Sequence, residues 1–229
     1  MKFLSYDSKF SQVMIRICYA CWLNLIWAVC SIPIVTVGAS TTALYYVMLK
    51  LARGEEGNVT SMFFRSFKEN FKQSTVLWLI LLGFGAFLGA DGYILAHLRK
   101  ISEGPAAAFW TILLAVIIAA SVLYVIVLIY VFPLVASVRN TNRAMLKNAF
   151  LIGVRFLFCT ILVFLIHFAV FFVTVRFFTP LLLLGEGLSA MLSSLLLWRV
   201  IDACTYDPDE EDEAGEDETG TGEDEEPEA

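Results

Sequence analysis

Long runs of apolar residues divide the chain into candidate membrane-spanning helices. About 20 predominantly apolar residues are needed to cross a hydrocarbon core about 30 Å thick. Five stretches meet this requirement: 17–32 with a backward extension over 13–15, 76–96, 106–138, 156–178 and 181–201. The pattern predicts an all-α fold, namely a polytopic transmembrane helix bundle.

A sixth segment, residues 33–52, is ambiguous. Pro33, Gly38 and the polar run Ser40-Thr41-Thr42 interrupt the apolar pattern after the first span. The stretch from residue 40 to residue 51 covers only about 18 Å as an α-helix. It is either a re-entrant half-helix or a short complete span that begins at Pro33, since proline suits the first position of a helix.

The basic residues favour a segment that returns across the membrane. If it returns, thirteen basic residues fall on one side: Lys2, Lys9, Arg16, Lys50, Arg53, Arg65, Lys68, Lys72, Arg139, Arg143, Lys147, Arg155 and Arg199. The other side keeps three, Arg99, Lys100 and Arg176. The positive-inside rule associates such an excess with the cytoplasm. We therefore expect six segments in the plasma membrane, with both termini cytoplasmic.

Two basic connectors are predicted on the cytoplasmic side. In residues 58–74 the apolar side chains Val59, Phe63, Phe67 and Phe71 recur every four residues, as on one face of a helix. This stripe indicates a separate amphipathic helix in the membrane interface, or else the extended start of the next span. Residues 140–155 form the second connector, and their LKNAF string matches FKENF in the first.

The charge is unevenly divided between the body and the C-terminal tail. The chain has 16 basic and 22 acidic residues, and fourteen of the acids lie in 207–229, which holds no Lys or Arg. The sequence therefore predicts two parts: a transmembrane helical domain over 1–206 and a disordered cytoplasmic tail over 207–229, because the tail has almost no apolar surface to bury.

Residues 30–80 carry a family resemblance. The string CSIPIVTVGASTTALYYVMLKLARGEEG, followed by FFRSFKENFKQSTVLWLI, resembles the signature of the YesL-like family of bacterial integral membrane proteins, a domain of unknown function. The resemblance extends more weakly over 1–205. Family genes often neighbour carbohydrate-uptake genes, so the resemblance implies an accessory part in sugar import or its regulation, and it brings no catalytic residues.

Three ionisable residues, Asp91, Arg176 and Glu186, are predicted at similar depth near the outer leaflet. Buried charges in a membrane cost several kcal/mol unless they are paired or reach water. We expect these three to form a polar cluster, which either lines a vestibule for a substrate or ion, or holds helix ends together.

The interrupted helix at Gly38, Ser40, Thr41 and Thr42 is a second candidate site. A broken helix exposes backbone N–H groups that can bind an anion, and the alternative is a tight turn between two helices. His167 and Asn24 lie within apolar spans. Each is expected to join helices by hydrogen bonds, although His167 could also relay protons.

No enzyme signature is present in the sequence. It has no phosphate-binding glycine loop, no His-Glu-x-x-His and no Gly-x-Ser-x-Gly. We expect no catalytic, cofactor or metal site, and we expect the lipid bilayer as partner, with a sugar-uptake permease or self-association as further options and no nucleic acid. A small-solute transporter or channel is the alternative function.

Overall fold

The computed structural model describes residues 9–55, 57–177 and 182–205. These residues form seven α-helices and one short 3-10 helix: α1 Lys9–Cys30, the 3-10 turn Ile34–Thr36, α2 Val37–Ala52, α3 Val59–Ile101, α4 Pro105–Ser137, α5 Asn142–Arg155, α6 Leu157–Phe177 and α7 Leu182–Thr205. The predicted tail over 207–229 lies outside the described residues.

Six segments are long and apolar enough to cross a membrane, which confirms the predicted helical bundle. The sixth, ambiguous segment is one of them and runs over Ile34–Ala52. Its 3-10 turn and α2 together measure about 30 Å at their usual rises of 2.0 and 1.5 Å per residue. That length matches the thickness of the hydrocarbon core, so the turn and α2 together are long enough to cross it.

α2 is the central helix of the bundle. It packs against α1, α3, α4 and α7. More than half of the residues in its most apolar 18-residue stretch are buried inside the protein, whereas few residues of the corresponding stretches of α3 and α4 are buried. The burial explains its composition: small and hydroxyl side chains at its start permit close approach of neighbouring helices.

The amphipathic segment before the third span is not a separate helix. It is the first part of α3, which continues without interruption for 43 residues. No Gly or Pro lies between Val59 and Leu82 to break the helix, and its apolar stripe packs within the protein: Val59 and Phe63 are buried and Phe67 is half-buried. The prediction of a separate helix here is wrong, because the segment continues without a break into the next span, although Phe71, the last residue of the stripe, is exposed.

α5 and α6 are two helices with a bend between them at Phe156. The backbone of Phe156 leaves the helical region, with φ −109° and ψ 46°. The Thr160 hydroxyl donates to the Gly153 carbonyl at 2.8 Å, across the bend. It also lies 3.0 Å from the hydroxyl of Tyr130 on α4. The bend is therefore fixed by side-chain hydrogen bonds and not by a proline.

Candidate functional site

The hydroxyl groups of the interrupted-helix segment bond to neighbouring helices. Ser40, Thr41 and Thr42 are buried in the first turns of α2. Each of the three hydroxyls has a hydrogen-bond partner outside α2. Ser40 Oγ lies 2.6 Å from Ser31 Oγ in the turn after α1, and Thr41 Oγ1 accepts from Trp27 Nε1 of α1 at 3.1 Å. Thr42 Oγ1 accepts from Ser74 Oγ of α3 at 2.9 Å. This arrangement joins three parts of the bundle and favours the tight-turn interpretation. Whether the segment also binds an anion stays a prediction.

Gly38 is the point of closest approach between α2 and α3. A Cβ atom at this position would lie 2.5 Å from Trp78 Cβ and 2.6 Å from the Ser74 carbonyl oxygen. Both atoms are fixed to the backbone of α3, so a larger residue could be accommodated only if the helices separated. Glycine is therefore required here for packing, and not for a positive φ angle.

A half-buried imidazole lies at the junction of α2, α6 and α7. His167 Nε2 is 3.1 Å from the Tyr45 hydroxyl, and its Nδ1 is 2.9 Å from the Val163 carbonyl oxygen. Ser193 Oγ lies 3.5 Å from the same Nδ1. We call Tyr45, His167 and Ser193 the His167 cluster. It confirms the expectation that His167 joins helices, and its partners come from two other helices.

The hydrogen bonds of His167 indicate which ring nitrogen carries the proton. A carbonyl oxygen only accepts hydrogen bonds, so Nδ1 must donate to Val163. In the neutral ring Nε2 is then an acceptor, and it receives the proton of the Tyr45 hydroxyl. Protonation of Nε2 would make both nitrogens donors, and the Tyr45 hydroxyl would have to rotate and accept. The cluster can therefore change its hydrogen bonding with the gain of one proton.

Glu186 lies near the His167 cluster on α7. It is half-buried and close enough to His167 and Tyr45 to interact with both electrostatically. On the next residue, the Gly187 N–H donates to Asn24 Oδ1 of α1 at 2.7 Å. This bond confirms that Asn24 joins two helices, and it fixes the turn of α7 that carries Glu186.

Thr174 adds a hydroxyl beside this turn. Its Oγ1 is buried and has no hydrogen-bond partner among the described residues. A Cβ atom at Gly185 would lie 3.3 Å from that oxygen, so α6 and α7 approach closely here. Thr174 of α6 and Asn24 of α1 thus approach α7 at Gly185 and Gly187, the residues on either side of Glu186.

The predicted cluster of Asp91, Arg176 and Glu186 is not joined by ion pairs among the described residues. Asp91 lies on α3, which packs chiefly against α2 and α4, whereas α7 packs against α1, α2 and α6. Arg176 is exposed in the last turn of α6. The structure thus groups Glu186 with His167, and a cluster that also includes Asp91 and Arg176 stays a prediction.

Ion pairs within the described residues concentrate at helix ends for which the basic residues predict a cytoplasmic position. Arg53, after α2, contacts Asp202 near the end of α7 at 2.5 Å. Glu69 on α3 contacts both Arg65, at 3.0 Å, and Arg139 after α4, at 3.6 Å. The Arg65–Glu69 pair has the four-residue spacing of a helical pair. The others join residues distant in sequence, so no local pattern could have revealed them.

No group of three or more His, Cys, Asp or Glu residues able to hold a metal ion occurs in the described part of the chain. The cysteines Cys18, Cys21, Cys30, Cys159 and Cys204 are all unpaired thiols.

Comparison with known proteins gives two matches. Residues 20–92 match the family model described as "Protein of unknown function, DUF624". The chain is also 29% identical over 150 residues to "Uncharacterized protein YesL" of Bacillus subtilis (strain 168), an alignment that covers 64% of this chain and 66% of the relative, just under two thirds of its length. No solved structure matches the chain.

The family match includes the structurally important residues of α1 to α3. Residues 20–92 contain Asn24, the hydroxyl run of α2, Gly38 and Tyr45. These are residues that connect helices within the bundle. Both matches support the resemblance of this chain to the YesL-like family.

Proposed function

We propose that this protein is a non-catalytic membrane protein of the plasma membrane, accessory to carbohydrate uptake or its regulation, with both termini in the cytoplasm. The link to carbohydrate rests on the YesL-like family resemblance. The orientation rests on the excess of basic residues on one side. Six helices that are long and apolar enough to cross a membrane support the multi-pass arrangement.

One observation carries the non-catalytic part of the proposal: buried polar side chains bond to other groups of the bundle. Ser40, Thr41, Thr42 and Asn24 are each hydrogen-bonded to a residue outside their own helix. Such groups hold helices together and are not free to bind or polarise a substrate. An accessory protein needs a stable fold and a surface for its partner, and this arrangement serves the first need.

The proposed partner is a permease of a sugar-uptake system. Helices α3, α4 and α6 expose large apolar side chains along much of their length, which is the surface through which membrane proteins associate within the bilayer. Contact between helices in a membrane depends on packing and hydrogen bonding more than on the hydrophobic effect. Self-association through the same surfaces is the alternative.

Affinity purification from native membranes tests this proposal. The tagged full chain is extracted in mild detergent, and the proteins that accompany it are identified; a tagged, unrelated six-helix protein of the same membrane is the control. We expect sugar-permease subunits to be recovered with this chain and not with the control protein. We also expect slower sugar uptake by cells that lack this chain. Recovery without a permease, together with unchanged uptake, would contradict the accessory role.

A second candidate function is a small-solute transporter, favoured by the His167 cluster and Glu186. Ionisable groups inside a helix bundle are typical of ion and proton pathways, and His167 and Glu186 are both half-buried. Flux measured with the purified protein alone in liposomes distinguishes this function from the first. A transporter would move solute without a permease and would lose flux in His167→Gln, but not in His97→Gln, whose side chain is exposed on α3.

A further inference from the structure

An apolar groove opens between α4 and α6. Its volume is about 390 Å³. The groove is lined on α4 by Ile118, Val122 and Ile129 and on α6 by Leu157, Ile161 and Phe164. Side chains on both walls are exposed at the protein surface: Val122 is 55% exposed and Ile161 is 50% exposed. The groove is therefore a surface feature open to the surrounding bilayer, and not a closed cavity.

The groove exists because α4 and α6 diverge beyond a tight contact. Gly153, at the end of α5, has no room for a Cβ atom beside Ile126 and Tyr130 of α4. The Tyr130 and Thr160 hydroxyls bond at 3.0 Å just beyond the bend. After this point α6 continues with few contacts to α4, and the space between them is the groove.

The interior of the groove offers hydrocarbon contacts. Ser121 and Thr160 carry the hydroxyl groups among its lining residues, and both hydroxyls already bond to backbone carbonyls of the helices, at 2.8 Å in each case. From Ile118 to Ile129 the groove extends about 17 Å at the α-helical rise. That is close to half of a hydrocarbon core about 30 Å thick, the depth of one leaflet.

Unpaired cations lie beside one end of the groove. α5 carries Arg143, Lys147 and Arg155 and no acidic residue. All three are exposed, and none belongs to an ion pair within the described residues. Arg155 is two residues before Leu157, which lines the groove, and it is the basic residue of α5 nearest to the groove in sequence.

We propose that the α4–α6 groove binds an anionic phospholipid, with an acyl chain between the helices and the headgroup phosphate held by Arg155 and Lys147. An apolar slot about one leaflet deep fits the acyl chain, and exposed cations at its mouth fit the negative headgroup. A partner helix or a second copy of the chain would fill the slot but leave these cations without counter-charge. The inference concerns a lipid site and is independent of the role in carbohydrate uptake.

Two matched pairs of variants test the two halves of the site. Val122→Trp fills the groove, whereas Val116→Trp places the same side chain on the same helix outside it; the native residues are equally exposed, at 55% and 58%. Arg155→Gln removes a cation at the mouth, whereas Lys100→Gln removes an exposed cation in the last turn of α3. The four residues are exposed, so we expect all variants to fold.

Lipid retention is measured by native mass spectrometry of the purified full chain, after incubation with phosphatidylglycerol or with phosphatidylcholine of the same acyl chains. Thermal stabilisation by each lipid, by inorganic phosphate and by glycerol phosphate is measured in parallel. We expect phosphatidylglycerol to be retained and stabilising. Val122→Trp should abolish its retention, and Arg155→Gln should weaken binding about fivefold, since a basic residue near an anionic surface contributes about that much. Val116→Trp and Lys100→Gln should bind as the native chain does.

Each contrary result overturns the proposal. Equal retention of phosphatidylcholine would show that charge has no part in binding. If free phosphate stabilised the protein as much as phosphatidylglycerol does, the groove would have no part in binding. Loss of binding in Val116→Trp as well as in Val122→Trp would place the lipid elsewhere, and a lipid-free dimer of the native chain that Val122→Trp dissociates would identify a second copy as the occupant.

Discussion

Replacing Gly38 with alanine tests how tightly α2 and α3 are packed. The new Cβ atom would lie 2.5 Å from Trp78 Cβ, whereas carbon atoms in ordinary contact are about 3.5–4.0 Å apart. The helices must therefore separate locally by about 1 Å. A separation of that size would stretch the 2.9 Å bond from Ser74 Oγ to Thr42 Oγ1 beyond hydrogen-bonding distance.

The magnitude follows from three contributions. Overpacking a well-packed interior costs about 1–3 kcal/mol, and loss of the Ser74–Thr42 hydrogen bond costs about 1 kcal/mol. Alanine recovers about 1 kcal/mol because it favours the helix more than glycine does. We expect Gly38→Ala to lower the free energy of unfolding by about 2 kcal/mol, which is roughly a 30-fold change in the unfolding equilibrium.

The assay is reversible unfolding in mixed micelles, followed by circular dichroism as the fraction of denaturing detergent rises. Gly83→Ala is the matched control, because Gly83 lies within α3 and a Cβ there would meet nothing within 4 Å. That variant should be as stable as the native chain or slightly more stable. If Gly38→Ala unfolds at the same detergent fraction as Gly83→Ala, the close contact between α2 and α3 does not exist as described.

Three further predictions concern orientation, surface pairing and the His167 imidazole. Reporter fusions after Arg53 and after Lys100 should lie on opposite sides of the membrane, with the first in the cytoplasm; the six-segment arrangement fails if the Arg53 fusion is outside. The side chains of Arg53 and Asp202 are 31% and 43% exposed, so a double-mutant cycle on the pair should give a coupling free energy below about 1 kcal/mol. A value several times larger would show that the pair is shielded from water. Tyr45→Phe should destabilise the protein by about 1–3 kcal/mol because His167 Nε2 is left without its donor, and unchanged stability on denaturation would mean that this bond is absent.

The sequence predicted the membrane segments well because the bilayer imposes a length on each of them. All five strong spans and the ambiguous sixth correspond to helices long and apolar enough to cross. The amphipathic stripe of Val59, Phe63 and Phe67 was harder to interpret, since an apolar face indicates a helix but not whether lipid or protein covers it. In the structure Val59 and Phe63 are buried by protein and Phe67 is half-buried, and the segment is the start of the continuous helix α3.

For the candidate sites too, the sequence does not show which parts of the protein pack against one another. Depth along a span can be counted from sequence, and it placed Asp91, Arg176 and Glu186 at similar heights. The sequence does not show which helices are neighbours. In the structure, packing between α6 and α7 brings Glu186 near His167 instead. The mid-span position of His167 signalled a helix-joining residue, but its partner Tyr45 is 122 residues away, beyond the reach of any local pattern.

The length of α3 has a mechanical consequence. A continuous helix of 43 residues measures about 64 Å, more than twice the thickness of the hydrocarbon core. Its first turns belong to the region that carries the Glu69 ion pairs, and its last turn lies at the opposite end of the molecule. Because the helix is continuous, a tilt of about 10° moves one end sideways by roughly 11 Å relative to the other. A tilt of α3 at the end near Glu69 therefore also displaces its last turn, which carries Arg99 and Lys100.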